Sequence, residues 1–158
     1  MAHTFSQIYI QVVFAVGARL CLIKPSFKEK LQKYITGIVR NKGQKLIAIN
    51  CMPDHAHLLV GLKPSAALSD LIRDVKSDST EFINRKRWIA GRFNWQEGFG
   101  AFSYSHSQLD SVIGYVRNQE RHHARRNFKS EYLTMLRKFD IAWQPKHVFD
   151  FFDEDLAG

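Results

Sequence analysis

With 158 residues, 45% apolar content and a formal net charge of +8, the chain is long enough to bury a core and too apolar to be disordered. No apolar run approaches the ~20 residues of a spanning helix, and the start MAHTFSQIYIQVVFAV lacks the basic region and cleavage site of a signal peptide, so a cytoplasmic protein with no membrane partner is expected. Cys21 and Cys51 stand far apart without CxxC spacing and read as reduced, packed thiols.

Residues 6–16 (SQIYIQVVFAV) are rich in β-branched and aromatic side chains and predict a first strand. Pro25 opens a helical pattern carried by Phe27, Leu31, Tyr34, Ile35, Ile38 and Val39, ending near Lys42 and Gly43. Residues 44–51 predict a second strand, Met52-Pro53-Asp54 a tight turn in which Asp54 caps its own backbone, and residues 55–62 a third strand. A second helix follows over about 67–86, with Leu68, Leu71, Ile72, Val75, Phe82 and Ile83 on one stripe. Residues 87–100 form a Gly- and Trp-containing loop, and residues 101–105 a short fourth strand whose Phe102 and Tyr104 point toward helices. Third and fourth helices are expected over about 107–126 and 130–139. The order is that of an α+β, ferredoxin-like split βαβ fold: an antiparallel sheet with helices on one face, the other face free for ligands, and C-terminal helices added. One domain is expected over residues 1–158, with its core at about 5–140 and an acidic tail at 140–158.

The charge is unevenly placed. Residues 1–50 carry net +7 and residues 115–138 net +5, whereas residues 140–158 carry net −4. A basic body suits a polyanion, most commonly nucleic acid. Arg73, Lys76, Arg85, Lys86 and Arg87 on or after the second helix, with Arg117, Arg121, Arg125 and Arg126 on the third, are the candidate DNA surface. Trp95 and Phe99 either stack on unpaired bases or plug a core edge.

The chemistry centres on His55-Ala56-His57. Side chains alternate along a strand, so both imidazoles project from one face, spaced to hold a single metal ion. The HxH pair is a weak signal alone, since two half-exposed imidazoles would read the same. Tyr115 and Gln119, four residues apart on the third helix, share a face and supply a phenol and an amide ligand. A metal there would polarise a phosphate oxygen and favour the phenolate, which could attack phosphorus and form a covalent phosphotyrosine. A neutral amide ligand suits Mg2+ or Mn2+ over structural zinc. His122 and His123 diverge by about 100° on a helix and read as phosphate contacts or helix-end histidines rather than ligands.

MPDHAHLLVGLKP, WQEGFGAFSYSHS and YVRNQERHH, in that order, resemble the small bacterial insertion-sequence transposases of the single-tyrosine HUH class over about residues 5–140. The resemblance implies Tyr115 as nucleophile, His55, His57 and Gln119 as ligands of Mg2+ or Mn2+, and single-stranded DNA with hairpin ends as partner. It also implies a homodimer joined edge to edge, each site taking histidines from one subunit and the tyrosine helix from the other. The implied reaction cuts and rejoins single-stranded DNA at insertion-sequence ends by transesterification through a 5′-phosphotyrosine. The missing GxxxxGK[ST] and GxGxxG motifs agree with a reaction that needs no ATP or nicotinamide. The rival readings are a host-adapted nuclease acting on repeat hairpins, a non-catalytic ferredoxin-like nucleic-acid-binding module, and a metal hydrolase that would work without Tyr115.

Overall fold

The computed structural model describes residues 3–124 and 126–148. Strands β1 (Tyr9–Ala15), β2 (Lys45–Met52), β3 (His55–Gly61) and β4 (Gly100–Tyr104) form one antiparallel sheet in the order β2-β3-β1-β4. Helix α1 (Pro25–Asn41) joins β1 to β2 and α2 (Leu68–Lys86) joins β3 to β4, which is the expected ferredoxin-like arrangement. α1 begins on Pro25, whose missing N–H is no loss in a first helical turn, and the chain leaves the helix through Gly43 at φ 77°.

Strand alternation sorts the buried side chains into two layers. Val12, Phe14, Ala56, Leu58 and Val60 pack against the stripes Phe27, Leu31, Ile35 and Val39 of α1 and Leu71, Ile72, Val75 and Ile83 of α2. Trp95 closes this core: it is 7% exposed, meets Phe14 edge-on at 4.7 Å, and donates Nε1–H to Ser79 Oγ at 2.9 Å. It is therefore a core plug, not a base-stacking platform, and Phe99 packs partly buried on the same cluster.

The opposite face departs from the expectation that it stays open. α3 (Leu109–Arg117) sets Val112 and Val116 on Ala48 and Leu59. α5 (Phe128–Lys138) sets Phe128, Tyr132, Met135 and Leu136 on Val13, Ala15 and Phe102. Both helices carry an apolar stripe that must leave water, and with α1 and α2 on one face only this one remains. The aromatics of β4 face these C-terminal helices rather than α1 and α2. A Cβ on Gly100 would lie 2.6 Å from Tyr132 Oη, so α5 approaches β4 where no side chain would fit.

The single helix expected over about 107–126 breaks at Asn118 (φ −99°, ψ 28°) into α3 and α4 (Gln119–His123). The break is supported from the sheet. Asn50 of β2, paired across to His57, donates Nδ2–H to the carbonyls of Val116 at 3.0 Å and Arg117 at 3.4 Å, which a helix end leaves without partners. A short α6 (Pro145–Val148) follows α5. The acidic residues Asp150 to Asp155 lie outside the described residues.

Leu58 is fully buried in a central strand. Leu58→Ala should cost about 2–5 kcal/mol. The check is a urea titration, in which the midpoint falls while the m-value holds.

Candidate active site

β3 delivers His55 and His57 to the face covered by α3 and α5, and neither ring has any solvent exposure. Each has one nitrogen committed. His57 Nδ1 lies 2.8 Å from Gln11 Oε1, and the Gln11 amide is oriented by donating Nε2–H to Tyr104 Oη at 3.1 Å. That orientation places the proton on His57 Nδ1 and leaves Nε2 as a lone pair. His55 Nδ1 donates to Asp54 Oδ1 at 2.7 Å, and its Nε2 has no hydrogen-bond partner among the described residues. Asp54 thus orients a histidine, where a cap on its own backbone was expected. Phe128 stacks on the His55 ring at 3.8 Å and 5°.

The free nitrogens converge on one atom. Glu131 Oε1 lies 3.2 Å from His57 Nε2, 3.2 Å from His123 Nε2 and 3.9 Å from His55 Nε2. The Tyr115 hydroxyl donates to the other carboxylate oxygen, Oε2, at 2.5 Å. The Tyr115 ring stands edge-on to His57 at 5.9 Å and lies against His122 at 4.8 Å.

Burial pushes the His57 pKa down to about 4, outweighing the hydrogen bond to Glu131 that would raise it, so the ring is neutral at pH 7. Burial alone would raise the Glu131 carboxyl, but His123, His57 and Tyr115, all within 3.2 Å of its oxygens, hold it below the usual carboxylate range. The Tyr115 phenol is pushed well above its ordinary value, first by burial and then by the charge and hydrogen bond of Glu131. A neutral His57 Nε2 aimed at a carboxylate oxygen sets two acceptors against each other, and His55 adds an orphaned buried acceptor. One atom from each of His55, His57, His123 and Glu131 lies within 4.8 Å of the others. This donor set fits a divalent cation in chemistry and in spacing.

Gln119 is fully buried, donates Nε2–H to the Tyr115 carbonyl at 3.2 Å, and leaves Oε1 without a hydrogen-bond partner among the described residues. Of the expected quartet, His55, His57 and Tyr115 meet around Glu131 in one chain, and Gln119 is tied to Tyr115 through its backbone carbonyl. Two members were not foreseen as such. Glu131 sits on the buried stripe of α5 with Phe128, Tyr132 and Met135, and a lone carboxylate on an apolar stripe is the signal that could have revealed it. The divergence of His122 and His123 rules out both as ligands but not one, and it is His123, on α4 after the break at Asn118, that reaches Glu131.

The expected basic surface is split. Arg121 and Arg126 line a cleft with Tyr115, His122 and Glu131, and Lys138 lines the cleft on the other side of Tyr115. Arg117 is exposed at the end of α3, and Arg125 lies outside the described residues. α2 belongs to the opposite layer, so Arg73, Arg85, Lys86 and Arg87 are not brought to the histidines. Arg73 pairs with Asp70 and Asp74 at 3.2 Å each. Lys76 is tied to the carbonyls of Gln96 at 2.8 Å and Gly98 at 2.5 Å, which makes it a loop anchor rather than a phosphate contact. Cys51 is buried, with its thiol pushed up to about 12 by desolvation, as an inert packed cysteine should be.

A ferredoxin-like sheet that presents paired histidines to a helix-borne tyrosine is the arrangement the motifs implied for tyrosine transposases. The IS200-like transposase family matches residues 4–119, and the chain belongs to that family. It is 21% identical over 118 residues to the ISDra2 transposase TnpA of Deinococcus radiodurans, covering 72% of this chain and 84% of the relative. Among solved structures, a D. radiodurans transposase superposes with a TM-score of 0.61 at 20% identity, covering 75% of this chain and 95% of that one. A REP-associated tyrosine transposase bound to a REP hairpin superposes with a TM-score of 0.57 at 16% identity, covering 78% and 74%. These structural likenesses establish the fold. No helix among the described residues is long and apolar enough to cross a membrane.

The buried neutral imidazole has a consequence for stability in chelator. The unfolded chain takes up a proton at His57 near the ordinary value of 6.5, and the folded chain only near 4. The unfolded state therefore binds more protons across that window, and stability falls as pH is lowered through it. The urea midpoint should drop between pH 6.5 and 4, and His57→Asn should flatten the drop; a midpoint unchanged across the window would contradict the assignment.

Proposed function

We propose that this chain cuts and rejoins single-stranded DNA by transesterification, with Tyr115 as the nucleophile. The observation that carries the reading is the Tyr115 hydroxyl, held through Glu131 at a cluster of buried imidazoles in the same chain. Membership of the IS200-like family and the hairpin bound by one relative of this fold support DNA with folded ends as the substrate.

His55 and His57 would hold a divalent ion, with the orphaned Gln119 Oε1 as the amide ligand implied by the resemblance. When bound, that ion supplies positive charge to a phosphate oxygen and to the developing phenolate. The residues of the chain do the rest. Arg121 and Arg126 flank the cleft beside Tyr115 and draw the phosphodiester in. Tyr115 Oη attacks phosphorus as its proton leaves along the hydrogen bond to Glu131 Oε2. The P–O3′ bond breaks, leaving a 5′-phosphotyrosine, and the departing oxygen takes up a proton to become a free 3′-hydroxyl. Attack by a 3′-hydroxyl on that ester reverses the step and rejoins strands, so bond energy is conserved.

The rivals fare differently. A base-stacking module needs an open sheet, whereas α3 and α5 cover the face opposite α1 and α2. A stand-alone nuclease acting on repeat hairpins uses the same site chemistry, and the DNA flanking the gene separates it from a mobile element. Homodimer assembly rests on the resemblance, and this cleavage site does not depend on it.

Tyr115→Phe should lower cleavage and covalent attachment about 10³-fold or more, with hairpin-DNA affinity kept within a few-fold. Gel assays of cleavage, adduct and binding check this; efficient cleavage by the variant would point to attack by water. Arg121→Ala and Arg126→Ala should each weaken DNA binding and lower the slope of log K against log salt by about 1. Fluorescence anisotropy over a salt series reads that slope.

A further inference from the structure

The histidine pair and Gln119 would give an ion three protein ligands, one of them a weak neutral amide. Residues beyond the family match, which ends at 119, place two stronger donors at the same point. His123 Nε2 and His57 Nε2 each lie 3.2 Å from Glu131 Oε1, and His55 Nε2 lies 3.9 Å from it. The His123 side chain is only 14% exposed and that of Glu131 5%. The outer nitrogens of His55 and His57 are already engaged by Asp54 and Gln11, the pattern that orients an imidazole lone pair toward a metal.

Resting on the reading of this cluster as the ion site, we propose that His123 and Glu131 are ligands too. The site is then three imidazole nitrogens and one carboxylate oxygen, with the Gln119 amide as the weak fifth donor, and it selects a first-row transition ion such as Mn2+ over Mg2+. The donor chemistry decides the selectivity. Mg2+ takes oxygen ligands and keeps much of its water, whereas imidazole nitrogens favour first-row transition ions, Mn2+ being the weakest bound of that series and the one that also takes carboxylate oxygen. One carboxylate among neutral imidazoles leaves the bound ion net positive, as a site that must attract a phosphodiester requires. The second Glu131 oxygen holds the Tyr115 hydroxyl, so the same side chain sets the distance between ion and nucleophile.

The test is Mn2+ binding to the full chain without DNA, by calorimetry and by the Mn2+ paramagnetic resonance signal. Wild type should bind one Mn2+ that a 100-fold excess of Mg2+ fails to displace. Glu131→Gln and His123→Asn should each weaken Mn2+ binding by at least the roughly 10–100-fold that loss of an outer-shell partner costs and make it displaceable by Mg2+. Glu131→Asp, which keeps a carboxylate, should recover part of the affinity, and matching melting curves confirm that each variant is folded. Mn2+ affinity within two-fold of wild type in Glu131→Gln and His123→Asn, with binding lost in His55→Ala, would overturn these two ligands and leave the histidine-pair site intact. A wild-type chain that binds no divalent ion would overturn both.

Discussion

A single buried carboxylate organises this molecule's chemistry. One oxygen of Glu131 faces three imidazole nitrogens and the other accepts the Tyr115 hydroxyl. Burying such a group is costly unless it is paired, and here His57, His123 and Tyr115, from three elements, lie within 3.2 Å of its oxygens. The arrangement forces those elements together. β3 must present odd-numbered residues to one face, α3 must lie across β2 and β3, and the chain must turn sharply after α3 so that His123 returns. Asn50 holds the end of α3 on the sheet, and Phe128 packs the start of α5 on His55.

The same frame separates two jobs. The layer of α1 and α2 holds the larger core and gives the sheet its rigidity. The layer of α3 and α5 carries Tyr115 and Glu131 on smaller apolar clusters, so the proposed reactive groups ride on the less deeply anchored elements. Tyr115 lines two open clefts, while both β3 histidines stay dry.

Most of the frame is legible in the sequence, because period-two and period-3.6 patterns survive wherever one face is buried. Pro25 and Gly43 mark the ends of α1, and HAHLLVG alternates between two layers as a central strand should. The histidine pair and Tyr115 were legible through spacing and motif together. What the patterns hide is where separate elements meet. Glu131 lies sixteen residues beyond Tyr115 on another helix, and nothing local to it announces a partner. The helix break at Asn118 depends on Asn50, sixty-six residues from Val116 in the chain, so an unbroken helix was the natural local reading. That the basic residues of α2 lie on the layer away from the histidines was hidden for a similar reason: helical spacing shows which face is polar but not on which side of the sheet the helix packs. Lys76 shows the limit most plainly, since a loop far along the chain supplies its two carbonyl partners.

In the proposed reaction one chain supplies both the Tyr115 hydroxyl and the imidazoles, which meet at Glu131 in cis. Mixing Tyr115→Phe with His57→Ala in equal amounts and assaying cleavage of hairpin-ended single-stranded DNA with Mn2+ measures this directly. The geometry predicts a mixture as inactive as either variant alone. Recovery of a substantial fraction of wild-type cleavage would show that the tyrosine serves the histidines of another subunit, and would contradict it.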